Sequence, residues 1–232
     1  MRERAGEAIM SILFVLLTFL LVITITYFKR RPEPRPVVQP RPEMWARTAA
    51  PKLNSELGFE IPKGYCFHPG HTWVLDEGRQ NARVGIDAFT GKVLGKIDGI
   101  EVAGLNRWVR QGQKVMTIKR DDLVFDMLSP IEGVISSVNH EVIKDPSLAV
   151  KDPYQNGWIC VVKSPEVATN LKNLVQGPLV APWMQNSISR LTSMATQMAP
   201  ALAQDGGLPV AGMMSQLDSG SQRKIVHEFF LT

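Results

Sequence analysis

The stretch TWVLDEGRQNARVGI, Thr72 to Ile86, reads as two β-strands joined by a turn. Thr72-Trp73-Val74-Leu75 and Ala82-Arg83-Val84-Gly85-Ile86 are rich in β-branched and aromatic residues, while Asp76-Glu77-Gly78 between them carries turn chemistry. The same alternation recurs downstream. Lys114 to Ile118, Gly133 to Val138 and Trp158 to Val162 are strand-like, and Gly112, Asp121-Asp122 and Asn156-Gly157 are turn-like. Asp87 to Leu94 reads as one short helix. Many short strands between about Lys52 and Lys172 predict a mainly β domain, a small barrel or sandwich.

Upstream of this domain, residues Ala8 to Phe28 carry no charge. As a helix they would extend about 31 Å, enough for a bilayer core of about 30 Å. The run ends in Thr26-Tyr27-Phe28-Lys29-Arg30-Arg31 with no small-residue cleavage site, which favours a retained anchor over a signal peptide. Arg2 and Arg4 precede it; Lys29, Arg30, Arg31, Arg35 and Arg41 follow. That bias predicts a single-pass protein of the inner or plasma membrane with its C-terminal domain on the cytoplasmic side. Five prolines between Pro32 and Pro42 predict an extended spacer. The net charge of +4 sits largely beside the apolar run, so no nucleic-acid partner is expected.

Downstream, Arg190 is the sole charge between Asn173 and Gln204. Met184, Ile188, Leu191, Ala195, Met198 and Leu202 are spaced as a helical seam, with Pro182 suited to the first turn and Pro200 to its end. Such a helix packs on the β-domain, on a protein partner, on a second copy of the chain or on the membrane surface, the last disfavoured because its polar face lacks basic residues. Asp205 to Lys224 reads as a flexible linker, and Ile225 to Thr232 as an apolar tail able to add a strand to a sheet edge. The organisation expected is therefore anchor 1–31 (span 8–28), linker 32–51, β-domain 52–176, amphipathic helical extension 177–204, and linker with tail 205–232.

Candidate sites are few. Cys66, His68 and His71 have ligand-like spacing but lack an obvious fourth partner, so no metal is expected. Cys160 sits in an apolar strand and reads as a core thiol. There is no nucleophile elbow, phosphate loop or dinucleotide fingerprint, so no catalytic residue and no enzyme activity are expected. Trp108 between Arg107 and Arg110 is a candidate contact residue. Met184, Ile188, Leu191, Met198, Phe229 and Phe230 are the others.

Several blocks of the middle region, in order, resemble the glycine cleavage H-protein family. They are Phe67-His68-Pro69-Gly70-His71-Thr72-Trp73-Val74, Arg83 to Phe89, Leu94-Gly95-Lys96-Ile97, Ser129 to Ile135 with Val138-Asn139, and Asp145-Pro146 with Asp152-Pro153-Tyr154 and Gly157-Trp158-Ile159. The resemblance implies a barrel-sandwich hybrid of lipoyl-domain type, here with an N-terminal transmembrane helix and a C-terminal helical extension. It also implies a hairpin lysine that carries lipoate, eight residues before the proline of a Ser-Pro step. Counting back from Pro130 reaches Asp122, which cannot form that amide. Lys119 is the fallback acceptor, and Lys119-Arg120-Asp121-Asp122 otherwise reads as a charged turn. The expectation is thus a membrane-tethered binding or scaffold module without a cofactor, docking a protein partner of unknown identity. Two alternatives stand beside it: a lipoyl-dependent carrier of aminomethyl groups using an atypical lysine, and a periplasmic adaptor of an export system.

Overall fold

Trp73 and Gly85 face each other across two neighbouring strands, and a Cβ on Gly85 would lie 2.5 Å from the Trp73 ring. Only a residue without a side chain leaves room for that indole, which is fully buried and donates from Nε1 to the Ile86 carbonyl at 2.7 Å. The arrangement comes from a computed structural model that describes residues 13–25, 53–56, 59–198 and 212–231. The chain divides into two units, Met1–Arg47 and Thr48–Thr232.

The first unit contains helix α1, residues 13–25. Its described residues span about 20 Å at about 1.5 Å per residue, against a bilayer core of roughly 30 Å, and the expected span over 8–28 runs beyond them at both ends. Among the described residues no helix is long and apolar enough to cross a membrane. The expected span over 8–28, and the inner or plasma membrane location built on it, therefore do not stand. The proline-rich linker lies outside the described residues.

The second unit begins with β1 (Leu53–Glu56) and β2 (Phe59–Pro62), then β3 (Cys66–Phe67), β4 (Thr72–Gly78), β5 (Asn81–Ile86) and α2 (Ala88–Leu94). Next come β6 (Gly99–Val102), β7 (Trp108–Val109), β8 (Lys114–Arg120), β9 (Leu123–Leu128) and β10 (Gly133–Val138). The short helices α3 (His140–Lys144) and α4 (Ser147–Lys151), strand β11 (Cys160–Lys163) and helix α5 (Val167–Leu171) follow. Two longer helices, α6 (Val180–Met198) and α7 (Ser219–Phe230), complete the described chain. The strands expected from the sequence are all present, with ends shifted by up to three residues: β4 runs on through Asp76-Glu77-Gly78, and the turn falls at Arg79-Gln80.

Three sheets result. Strands β1 and β2 pair alone, six strands run in the order β3-β4-β5-β11-β10-β7, and three run β6-β8-β9. All the pairings within them are antiparallel. The six-stranded sheet joins strands from Cys66 to Lys163, so that β5 and β11, far apart in sequence, meet only in the folded state. At Gly133 the backbone takes φ 147°, and a Cβ there would meet the Lys163 carbonyl oxygen at 2.4 Å. The register aligns Cys66 with Val74, Val74 with Val84, and Val84 with Cys160. Three strand spacings of about 4.8 Å place the two cysteines roughly 14 Å apart, twice the reach of a disulfide. Both are free and buried.

The helical seam packs on the chain's own core. Met184, Ile188 and Leu191 are buried, and Ala195 and Met198 are half-buried against the same cluster. Leu202 and Pro200 lie outside the described residues. The C-terminal segment differs from its expected linker and tail. A 3-10 turn, Met213–Gln216, leads into α7, whose N-cap Asp218 accepts from Gly220 N at 2.8 Å and Ser221 N at 3.1 Å. Ile225, Val226, Phe229 and Phe230 fall on one helical face and are all buried. The tail is therefore helix and not a sheet-edge strand: the 1-2-5-6 spacing of its apolar residues serves one side of a helix but both sides of a strand.

Two outcomes follow. Gly85→Ala and Gly133→Ala each force a Cβ into rigid neighbours and should lower unfolding free energy by about 2–3 kcal/mol. Phe230→Ala should cost about 3–5 kcal/mol, because the ring is fully buried against the β-domain. Urea denaturation checks all three, and a Phe230→Ala midpoint equal to wild type would mean α7 is not part of the core.

Candidate functional site

The β8–β9 hairpin projects from the three-stranded sheet and turns through only two residues, Asp121 and Asp122. Arg120 pairs with Leu123 and Lys119 with Val124. Side chains alternate accordingly. Ile118, Arg120, Leu123 and Phe125 are buried, whereas Lys119 and Val124 face outward. Arg120 was expected in an exposed charged turn; its side chain is only 3% exposed and its Nε donates to the Leu94 carbonyl at 3.0 Å. A guanidinium at the C-terminal end of α2 satisfies a carbonyl that the helix leaves open. The backbone at Asp121 takes φ 49°, a left-handed conformation that aspartate tolerates.

The loop joining α2 to β6 is stitched to this hairpin end. Asp98 N donates to the Lys119 carbonyl at 2.9 Å, and Asp121 N donates to Asp98 Oδ2 at 2.7 Å. Lys96 Nζ lies 2.7 Å from Asp98 Oδ1 and 3.6 Å from Asp121 Oδ1. The Asp121 amide, then the Lys96 ammonium, hold the Asp98 carboxyl below the usual carboxylate range. Lys119 Nζ is ion-paired with Glu101 on β6. Two primary amines thus sit at this end of the domain, Lys119 on the hairpin and Lys96 on the adjoining loop, with side chains 43% and 64% exposed.

Behind the hairpin, α7 runs beside β9. Phe230 stacks on Phe125 with ring centroids 5.1 Å apart and planes at 14°. An open groove of about 1050 Å³ remains between β9 and α7, lined by Asp122, Val124, Asp126, Lys224 and His227 among others. Deeper, His71 is stacked between Phe89 at 4.1 Å and Trp183 at 4.7 Å, and its Nδ1 meets Asp87 Oδ2 at 2.7 Å. Both members of this pair are 1% exposed or less. An imidazole so enclosed has no path to substrate, so the pair orders the core.

The other residues singled out in the sequence are dispersed. His68 Nδ1 accepts from Gly70 N at 3.0 Å, and Cys66 Sγ is bonded to Gln176. Burial, and after it the charge of His71, lower the affinity of the His68 imidazole for protons. Among the described residues no group of three His, Cys, Asp or Glu side chains is placed to hold a metal ion. Burial pushes the Cys160 thiol up to about 12. Of the candidate contact residues, Met184, Ile188, Leu191, Phe229 and Phe230 are inside the chain's own core and Met198 is half-buried there. Trp108 is 47% exposed on β7, an edge strand. Sequence reasoning passed over Lys96 and Arg120, because the loop and hairpin that bring them together are not neighbours in the chain.

A lipoyl group is attached through an amide to a lysine amine. Asp122 offers none; Lys119, three positions before it, presents an amine on the outward face. The family described as glycine cleavage H-protein matches residues 65–186. A mitochondrial glycine cleavage system H protein 1 from Dictyostelium discoideum is 35% identical over 94 residues, covering 40% of this chain and 64% of the relative. The glycine cleavage system H protein of Prochlorococcus marinus is 31% identical over 121 residues, covering 52% of the chain and 92% of the relative. The crystal structure of a glycine cleavage system H protein from Mycobacterium marinum aligns with 24% identity and a TM-score of 0.42, over 45% of the chain and 87% of that structure. The expectation of a module with no cofactor is overturned by the family match, since proteins of this kind carry lipoate on a lysine. The reading as a non-lipoylated, membrane-tethered scaffold is not supported. With the match extending over more than half of its length, the chain belongs to the glycine cleavage H-protein family.

Proposed function

We propose that this chain is a lipoyl-dependent carrier of the glycine-cleavage type whose acceptor is an atypical lysine, Lys119. The observation that carries the reading is the outward Lys119 amine on a two-residue hairpin within the matched region, residues 65–186. When bound, lipoate supplies a disulfide-containing arm that takes up a one-carbon amine unit. The chain's own residues do the presenting. Lys119 has ladder partners on both sides, Gly99 and Val124, so its backbone is fixed and its side chain leaves the sheet roughly at right angles. Glu101 orients the amine, and the buried Arg120 prevents the hairpin end from lifting off α2.

The partners in this reading are the proteins that load and unload the arm. Trp108, with Leu105 at 45% exposure on the preceding loop, is the contact residue we assign to one of them. Both are exposed apolar side chains near the β7 edge, where among the described residues no further strand pairs.

Mass spectrometry of the protein purified from its own host should find a lipoyl group on the peptide containing Lys119, and Lys119→Arg should lose it. A bare peptide in the wild type would sink the assignment. Asp122→Lys should be acylated in vitro by a lipoate–protein ligase with lipoate and ATP, since it restores an amine at the turn. Failure of that variant, with its melting temperature unchanged, would mean that the hairpin shape is not read by such a ligase.

A further inference from the structure

We infer that Lys96, on the loop between α2 and β6, is a second acyl-acceptor lysine, one that takes a lipoyl-type carboxylic acid as an amide. The inference rests on the carrier reading above and adds a site to it.

Asp121 and Asp122 form the end of the hairpin and carry carboxylates only. Lys119 lies two residues before Asp121 on β8 and is drawn toward Glu101, away from the turn. Lys96 is the lysine whose ion pairs include the turn itself: its Nζ is 3.6 Å from Asp121 and 2.7 Å from Asp98. Its side chain is also the more exposed of the two. The loop follows Gly95, a helix C-cap at φ 69° that ends α2 and redirects the chain toward β6. Lys96 is thereby brought to the hairpin end from outside the hairpin.

The reaction needs an activated acyl donor, an acyl-adenylate. Lys96 is an ammonium in the resting chain and first releases a proton to solvent, because Asp98 stabilises the charged pair and does not take it. The free amine then attacks the acyl carbonyl carbon. A C–N bond forms, the bond from that carbon to the phosphate oxygen breaks, AMP leaves with the electron pair, and the second proton passes to solvent. Acylation removes the positive charge, yet Asp98 keeps its 2.7 Å bond from Asp121 N, so loop and hairpin stay joined.

The test incubates the full chain with lipoate, ATP and a lipoate–protein ligase, then maps adducts after cleavage at acidic residues. The expected result is acylation at both Lys96 and Lys119, the Lys96 adduct persisting in Lys119→Arg and vanishing in Lys96→Arg. An adduct confined to Lys119 overturns the inference and leaves the carrier reading standing. Adducts spread equally over surface lysines such as Lys63 and Lys151 also overturn it. No adduct anywhere in the wild type, with Asp122→Lys acylated in parallel, removes the carrier reading and the inference together.

Discussion

A buried imidazole held by a buried carboxylate fixes where four elements of this chain meet. Asp87 caps α2 and accepts from Thr90 N at 2.8 Å, Thr90 Oγ1 at 3.0 Å and the His71 ring at 2.7 Å. A fully buried carboxylate is costly unless such donors surround it. His71 in turn takes a left-handed backbone at φ 62°, which turns its ring into a slot between Phe89 and Trp183. Phe229 and Phe230 of α7 close the slot at 6.2 and 6.3 Å. The β3–β4 loop, α2, α6 and α7 are thus positioned by one hydrogen-bonded pair and the rings around it. Removing either partner would leave the other buried without its bond, at a cost of about 1–3 kcal/mol.

The strands were legible because each keeps a simple pattern: Val84 and Ile86 inward, turn residues at both ends, and a glycine where Trp73 must fit. The helix expected over Asp87 to Leu94 is present as Ala88–Leu94, with Asp87 as its cap. Two features were not legible. Arg120 looks like part of a charged turn, and only the Leu94 carbonyl across the fold explains its burial. Asp205 to Lys224 looks like linker because Gly, Ser and Gln are frequent in it, and Ile225 to Thr232 like an apolar tail, yet Asp218 caps a helix that joins the two and whose apolar residues all sit near its end. Local composition misled there, since burial against Phe125 and Phe89 decides the outcome.

On the carrier reading proposed above, the acceptor amine would be relocated without rebuilding the fold. Strands β8 and β9 and their two-residue turn set the frame, while the amines stand beside the turn rather than on it. Loop and hairpin are joined by backbone donors on both sides, Asp98 N to Lys119 O and Asp121 N to Asp98 Oδ2. A lysine on either segment therefore inherits much the same rigid platform. Position along the chain matters less here than position on that platform.

The row Cys66, Val74, Val84, Cys160 has a consequence for how the molecule opens. Sheet spacing keeps the sulfurs apart, and burial keeps both thiols protonated at neutral pH, Cys160 above all. Neither can react with the other or with a reagent while the six-stranded sheet is intact. Cys66 lies on an edge strand of only two residues, whereas Cys160 is on an interior one. The two sulfurs therefore act as separate clocks: the outer records fraying of the sheet margin, and the inner records disruption of its centre.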